Sequence, residues 1–276
     1  MKIAIVGLGV VGGSFAKALK GQNHQVYGID ISHTTLQMAK DDGTIIEGYT
    51  DGHEIIPECD LTIICLYPSL VLDFIKENQF KKGSIITDAT GIKSYFLEEA
   101  FKLIDDDVEL VSGHPMAGRE KKGYEYASKE VFKNANYILI EHPLNKKESI
   151  KFMEDFVGTL GFKSVKIVSP KAHDEIISFT SQLPHAIAVA LINSDQQKYD
   201  TGKYIGDSFR DLTRIANINE DLWSELFFKN KQYLLESIDY FEQQLDLIKQ
   251  ALQTDDEKRL KELFIESSKR REKLEK

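Results

Sequence analysis

The strongest constraint on this chain is a glycine-rich turn between an apolar run and a helical pattern, followed at a set distance by an aspartate. Residues 2–6 read as a short strand, and Gly7-Leu8-Gly9-Val10-Val11-Gly12 follows at once. Helical periodicity comes next (Phe15, Ala16, Ala18, Leu19), then an apolar run from Val26 to Ile29 that closes on Asp30. This order predicts a strand–helix–strand unit built around a dinucleotide. Gly7 permits the tight turn, Gly9 lets backbone approach a pyrophosphate, and Gly12 lets the helix pack closely. The helix opens at Val10 and Val11, and its unpaired N–H groups attract phosphate charge. Asp30 lies 18 residues beyond Gly12, at the end of the second strand. A carboxylate there accepts from both ribose hydroxyls and repels a 2′-phosphate, which favours NAD over NADP. A glycine-rich turn without a ligand would account for the glycines but not for the acid.

A chain of 276 residues suits two domains, each able to bury its own core. Apolar residues make up 42% and charged residues 29%, as in ordinary globular proteins. The formal net charge of −9 argues against nucleic acid or an anionic membrane surface as the main partner. No apolar run is read as reaching the ~18–20 residues of a membrane span, and the N-terminus reads as strand rather than signal peptide. A cytoplasmic protein is expected, with no metal centre. Cys59 and Cys65 are expected to be inert core thiols rather than a disulfide.

From Met1 to about Val168, β-rich runs (2–6, 25–30, 61–66, 84–87, 108–112, 136–141 and 164–168) alternate with helical stretches. That alternation predicts a Rossmann-type, mostly parallel sheet covered on both faces, with an antiparallel extension open for the later runs. Ser169-Pro170 then supplies an N-cap and a first-turn proline, after which only helical periodicity remains. The expected organisation is a dinucleotide-binding α/β domain over 1–168 and an all-helical domain over 169–276. Residues 176–193 are apolar enough to be buried nearly all round, as in a central or interface helix. Residues 223–252 read as another long helix. Thr254 and Glu257 read as a capping box for a last helix whose Leu260, Leu263 and Phe264 share a face. Lys269-Arg270-Arg271 is a solvated C-terminal turn. An elongated helical half with such a helix implies a homodimer formed through it.

Several polar clusters lie outside this packing logic. Asp88-Ala89-Thr90-Gly91-Ile92-Lys93 follows the run 84–87 at the carboxyl edge, where open α/β sheets bind ligands. Gly113-His114-Pro115-Met116-Ala117-Gly118-Arg119-Glu120 follows the run 108–112 at the same edge, putting a histidine on a glycine-flanked loop. Such a histidine suits acid–base work, or it bonds backbone in a turn. Ser181-Gln182-Leu183-Pro184-His185 sets a proline inside an apolar helix, so a kink or a helix start aims His185. In Phe209-Arg210-Asp211-Leu212-Thr213-Arg214, two arginines four apart on one helix face can clamp a carboxylate or form a solvated ion-paired surface.

Together, GLGVVGGS at 7–14, DATGIK at 88–93, GHPMAG at 113–118, SQLPHA at 181–186 and FRDLTRIA at 209–216 resemble the prephenate/arogenate dehydrogenases of tyrosine biosynthesis. The resemblance runs over nearly the whole chain. HPMAG together with the DLTRIA helix separates it from the β-hydroxyacid dehydrogenases. It implies NAD-dependent oxidative decarboxylation of prephenate to 4-hydroxyphenylpyruvate. Hydride loss builds positive character at the carbinol carbon, so an acceptor has to draw on the hydroxyl proton. His114 matches the family's catalytic histidine, Arg214 its substrate arginine, His185 a substrate-side histidine, and Glu120 a glutamate of the ionic network at the pocket. Arg119 and Arg210 are expected to add positive charge for the substrate, while Asp88 and Lys93 frame the cofactor loop. Gly91 stands where many relatives have a serine, so Thr90 or a water is expected to substitute, and Gln182 replaces a histidine of some relatives. Neither a regulatory domain beyond residue 276 nor a mutase domain before Met1 is expected. The competing readings are an arogenate dehydrogenase, another two-domain nicotinamide dehydrogenase, and a non-catalytic NAD-binding sensor.

Overall fold

A computed structural model describes residues 1–118 and 121–274. Strands β1 (Lys2–Val6), β2 (Gln25–Ile29), β3 (Glu47–Tyr49), β4 (Leu61–Ile64), β5 (Ile85–Asp88) and β6 (Glu109–Leu110) form one sheet in the order β3-β2-β1-β4-β5-β6. All of its pairings are parallel. Helices α1 (Val10–Leu19), α2 (His33–Asp41), α3 (Pro68–Glu77) and α4 (Leu97–Leu103) cross between these strands. Because helices cover both faces, β1 and β4 are apolar at nearly every position, and Ile3, Ile5, Leu61 and Ile63 are fully enclosed.

The later runs form a second sheet. Strands β7 (Gly113–Pro115), β8 (Asn136–Ile140) and β9 (Ser164–Val168) lie in that order, β7 antiparallel and β9 parallel to β8, with α5 (Lys147–Gly158) as the crossover. His114 is therefore not on a loop, as the glycines suggested. It is the middle residue of β7, opposite Ile138. Three residues containing a proline carry too little strand pattern to be read locally; pairing with β8 makes the strand.

Ser169 caps α6 (Pro170–Ile177), its hydroxyl accepting from Ala172 N with Pro170 in the first turn, as the sequence predicts. A π-helical turn over Ser178–Gln182 then leads into α7 (Leu183–Asn193), with Pro184 in its first turn, where a missing N–H costs nothing. The run Pro170–Asn193, with a mean hydropathy of 1.3, does reach the length and apolarity of a membrane span. The expectation of no such run fails, because the apolar residues of 176–192 outweigh the polar ones between them. Its His173 and Asp174 are buried in hydrogen bonds to protein, the setting of a helix packed on a domain. Nor is it covered all round within one chain, since Ile176, Phe179 and Ile192 are exposed.

Helices α8 (Asp207–Thr213) and α9 (Glu220–Lys229) follow, with a 3₁₀ turn at Arg214–Ala216 between them. Asn219 caps α9 and also bonds the Tyr67 hydroxyl, while Glu225 accepts from Ser69, so α9 docks on the start of α3. By packing, the chain forms two compact units, Met1–Asn230 and Lys231–Lys276. The second is a hairpin of α10 (Lys231–Gln253) and α11 (Glu257–Leu274). The expected single helix over 223–252 is thus two, broken at Asn230. The capping box also fails. The Thr254 hydroxyl turns back to the Gln250 carbonyl, and Asp256 accepts from Arg259 N instead.

Candidate active site

The nucleotide cradle is built by backbone. Gly7 adopts φ +81° and its N–H donates to the Ile29 carbonyl, which locks the turn between β1 and β2. A Cβ on Gly12 would fall 1.9 Å from the Gly7 carbonyl oxygen, so only glycine lets α1 start this close to the turn. A Cβ on Gly9 would meet nothing within 4 Å, so open space lies over the N-terminus of α1. Asp30 is held from both sides: Oδ2 accepts from Leu8 N at 2.8 Å and Oδ1 from Ser32 N at 2.9 Å. Its orientation is fixed relative to the glycine turn. A cradle of this shape, with a preset acid at its end, fits an unphosphorylated dinucleotide ribose.

The loop after β5 is stitched from below. Asp88 is fully buried; its Oδ1 takes Lys93 Nζ at 2.6 Å and Thr90 N at 2.9 Å, and its Oδ2 accepts from the Ser112 hydroxyl. Lys93, also fully buried, donates further to the Gly113 carbonyl at 2.7 Å, which ties this loop to β7. Burial pulls the Lys93 ammonium below its ordinary value, and Asp88 opposes that pull. The Thr90 hydroxyl lies 2.5 Å from Asp88 Oδ1 and 2.9 Å from the Ile92 carbonyl. Asp88 and Thr90 therefore shape the loop from inside. Asp88 frames the loop, and between them the two side chains bond Lys93, Ser112 and backbone.

His114 stands beside this loop. A Cβ on Gly91 would lie 3.7 Å from His114 Nε2, so that nitrogen faces the position where relatives are expected to carry serine. On its other side, His114 Nδ1 is 2.9 Å from His173 Nε2, and His173 Nδ1 is 2.7 Å from Asp174 Oδ1. Burial, with help from His173 and Lys93, holds the His114 imidazole well below the ordinary histidine range. Burial also lowers His173, against the pull of Asp174. Burial pushes Asp174 up, but hydrogen bonds from His173 and Ser94 outweigh it and the carboxyl stays below its usual value.

His185 projects from the first turn of α7, its Nδ1–H donating to the Ser181 carbonyl and its ring stacked on Trp223 at 3.6 Å between centroids. The Ser178–Gln182 turn also carries Gln182, whose amide donates to the Leu226 carbonyl and accepts from Asn230. Gln182 is buried and structural. Arg214 is exposed and lies just past the α-helix that carries Arg210. The α-helix ends at Thr213 and Arg214 opens the 3₁₀ turn, which packs against α7. Arg210 pairs with Asp207 at 3.2 Å, both exposed. Arg119 and Glu120 lie outside the described residues.

A family model described as the prephenate dehydrogenase nucleotide-binding domain matches residues 15–166, and one described as the prephenate dehydrogenase dimerization domain matches 169–266. The chain belongs to the prephenate dehydrogenase family. It is 29% identical over 283 residues to the prephenate dehydrogenase of Lactococcus lactis subsp. cremoris, covering 99% of this chain and 77% of the relative. The Aquifex aeolicus prephenate dehydrogenase, crystallised with hydroxyphenyl propionate and NAD+, is 29% identical with a TM-score of 0.89, covering 99% of this chain and 98% of that one. The Synechocystis arogenate dehydrogenase follows at 25% identity and a TM-score of 0.83, covering 99% of this chain and all of that one. A prephenate dehydrogenase family member is an oxidoreductase. This member carries two site residues that motif reading passed over, His173 and Asp174. A histidine–aspartate pair one helical turn into an apolar run was their only signal.

Proposed function

We propose that this chain oxidises and decarboxylates prephenate with NAD, giving 4-hydroxyphenylpyruvate, carbon dioxide and NADH. The observation that carries this reading is His114, a histidine kept neutral beside Gly91 at the carboxyl edge of the sheet. The glycine turn 7–12 and Asp30 would hold NAD, which when bound would supply the hydride acceptor. His114 Nε2 accepts from the ring hydroxyl and offsets the positive character that grows on the carbinol carbon as hydride leaves. The ring then aromatises as the carboxylate departs, and the phenol that forms keeps the hydroxyl proton. His114 therefore polarises the O–H and returns any share of the proton it takes. Arg214 grips a substrate carboxylate, with Glu120 in the surrounding ionic network and Arg119 and Arg210 adding positive charge. His185, fixed by Ser181 and Trp223, meets the substrate side chain from α7.

Arogenate is the second reading, favoured by the likeness to the Synechocystis enzyme. Purified protein with NAD and either substrate, followed by absorbance of the reduced nicotinamide, separates the two, with NADP run in parallel. NADH formed from prephenate is the expected result, and turnover with arogenate alone would move the substrate. His114→Asn should lower kcat by about 10²–10⁴ while NAD still binds. Unchanged turnover would remove His114 from this role.

We further propose a homodimer. The second family model is described as a dimerization domain, and Ile176, Phe179, Tyr240, Leu245 and Phe264 are exposed in the single chain.

A further inference from the structure

We propose that His173 and Asp174 are positioning residues for His114, fixing both the orientation of its ring and the nitrogen that carries its proton. This rests on the reading of His114 as the hydrogen-bond acceptor of the reaction. Asp174 is held in place by two backbone N–H groups and one side-chain amide. Its Oδ1 accepts from Lys93 N at 2.9 Å, its Oδ2 accepts from Ser94 N at 2.8 Å, and Asn230 bonds its carbonyl. The carboxyl is ionised at neutral pH and can only accept, so the proton between it and His173 belongs to His173 Nδ1. Neutral His173 then has a bare Nε2, which accepts from His114 Nδ1–H across 2.9 Å. Neutral His114 is left with a bare Nε2, the nitrogen facing Gly91. Free imidazole prefers the opposite tautomer, in which Nε2 carries the proton and cannot accept. Asp174 thus sets the polarity of two rings in series, as the aspartate of a hydrolase triad does for one. His173 is fully enclosed, so the pair ends in protein rather than solvent. It orients, and conducts no proton away. With no side chain at Gly91 to hold the His114 ring, these two residues hold it from behind.

The test is a set of full-length variants read by kinetics and by long-range ¹⁵N spectra of histidine-labelled protein, which report the tautomer of each ring. His173→Leu removes the acceptor, whereas His173→Gln keeps an oxygen close to the lost Nε2. His173→Leu should lower kcat about 10- to 100-fold, change KM for prephenate less than about 3-fold, and move His114 towards the Nε2–H form. His173→Gln should restore kcat to within about 5-fold of the parent and keep the Nδ1–H form. Asp174→Ala supplies an independent reading, since it removes the acceptor that holds the proton on His173 Nδ1 and so releases the preference of both rings. An unchanged His114 tautomer in His173→Leu or Asp174→Ala would overturn the proposal, as would an equal loss in the Leu and Gln variants. His114→Asn is run beside them. If it keeps its turnover, the catalytic reading of His114 fails, while the tautomer data still decide what His173 and Asp174 do to the ring.

Discussion

At the scale of single residues, two glycines five positions from Gly7 or closer do opposite jobs. Gly12 is required by the fold, since a Cβ there would strike the Gly7 carbonyl at 1.9 Å; Gly9 has open space above it. Gly12→Ala should therefore destabilise the protein by at least about 2 kcal/mol, because a backbone atom has to move. Gly9→Ala should leave the thermal midpoint within about 2 °C and weaken NAD binding instead, read by quenching of protein fluorescence. Equal effects of the two changes on stability would refute this division. The sequence pattern named both glycines because the motif ties local backbone geometry to ligand chemistry. The direction of the Thr90 hydroxyl was not legible, for the converse reason. Whether a hydroxyl points outward or down to Asp88 depends on Lys93 and Ser112, which reach it from other segments.

At the scale of elements, the loop 88–93 and the strand β7 are joined by one buried ammonium. Lys93 links Asp88 to the Gly113 carbonyl, one residue before His114, and both charges are fully enclosed. Removing one partner strands the other. Lys93→Met should cost about 3–5 kcal/mol in urea unfolding, and adding Asp88→Asn should recover part of that loss. Strictly additive losses would mean the pair is not coupled. Five of the six parallel strands, all but β3, and the Ser169-Pro170 helix start were legible because apolar runs and caps are local signals. β7 and the break at Asn230 were not. A three-residue strand exists through its pairing with β8, and Asn230 ends α9 by bonding Gln182 and the Asp174 carbonyl. The 254–257 cap failed on a local competition, the Thr254 hydroxyl preferring the Gln250 carbonyl of its own helix.

At the scale of the whole molecule, the buried histidines make stability depend on pH. His114 and His173 have folded values below the ordinary 6.5, so the unfolded chain takes up their protons first as pH falls. The stability they permit is complete above about 6.5 and declines below it, by up to about 1.4 kcal/mol per pH unit for each ring. Lys93 beside them disfavours their charging, while Asp174 and Asp88 favour it for His173. Urea midpoints should fall between pH 7.5 and 5.5, and His173→Gln should flatten that slope; a midpoint level across this range would contradict it. Assembly belongs to the same scale. Sedimentation should give a dimer at micromolar concentration, and a monomer there would remove the proposed homodimer. The π-helical turn, finally, acts as a phase shifter. His173 and His185 are 12 residues apart, which on an uninterrupted α-helix separates them by about 120° around the axis. A π turn absorbs one residue, and the remaining steps bring the two rings to within about 20° of each other, on the same side of one continuous rod. Deleting a single residue from 178–182 would turn the π segment into plain α-helix, leave eleven regular steps between the two histidines and keep His185 on the side that His173 holds, whereas the same deletion in a helix without a π turn swings everything beyond it by roughly a quarter turn.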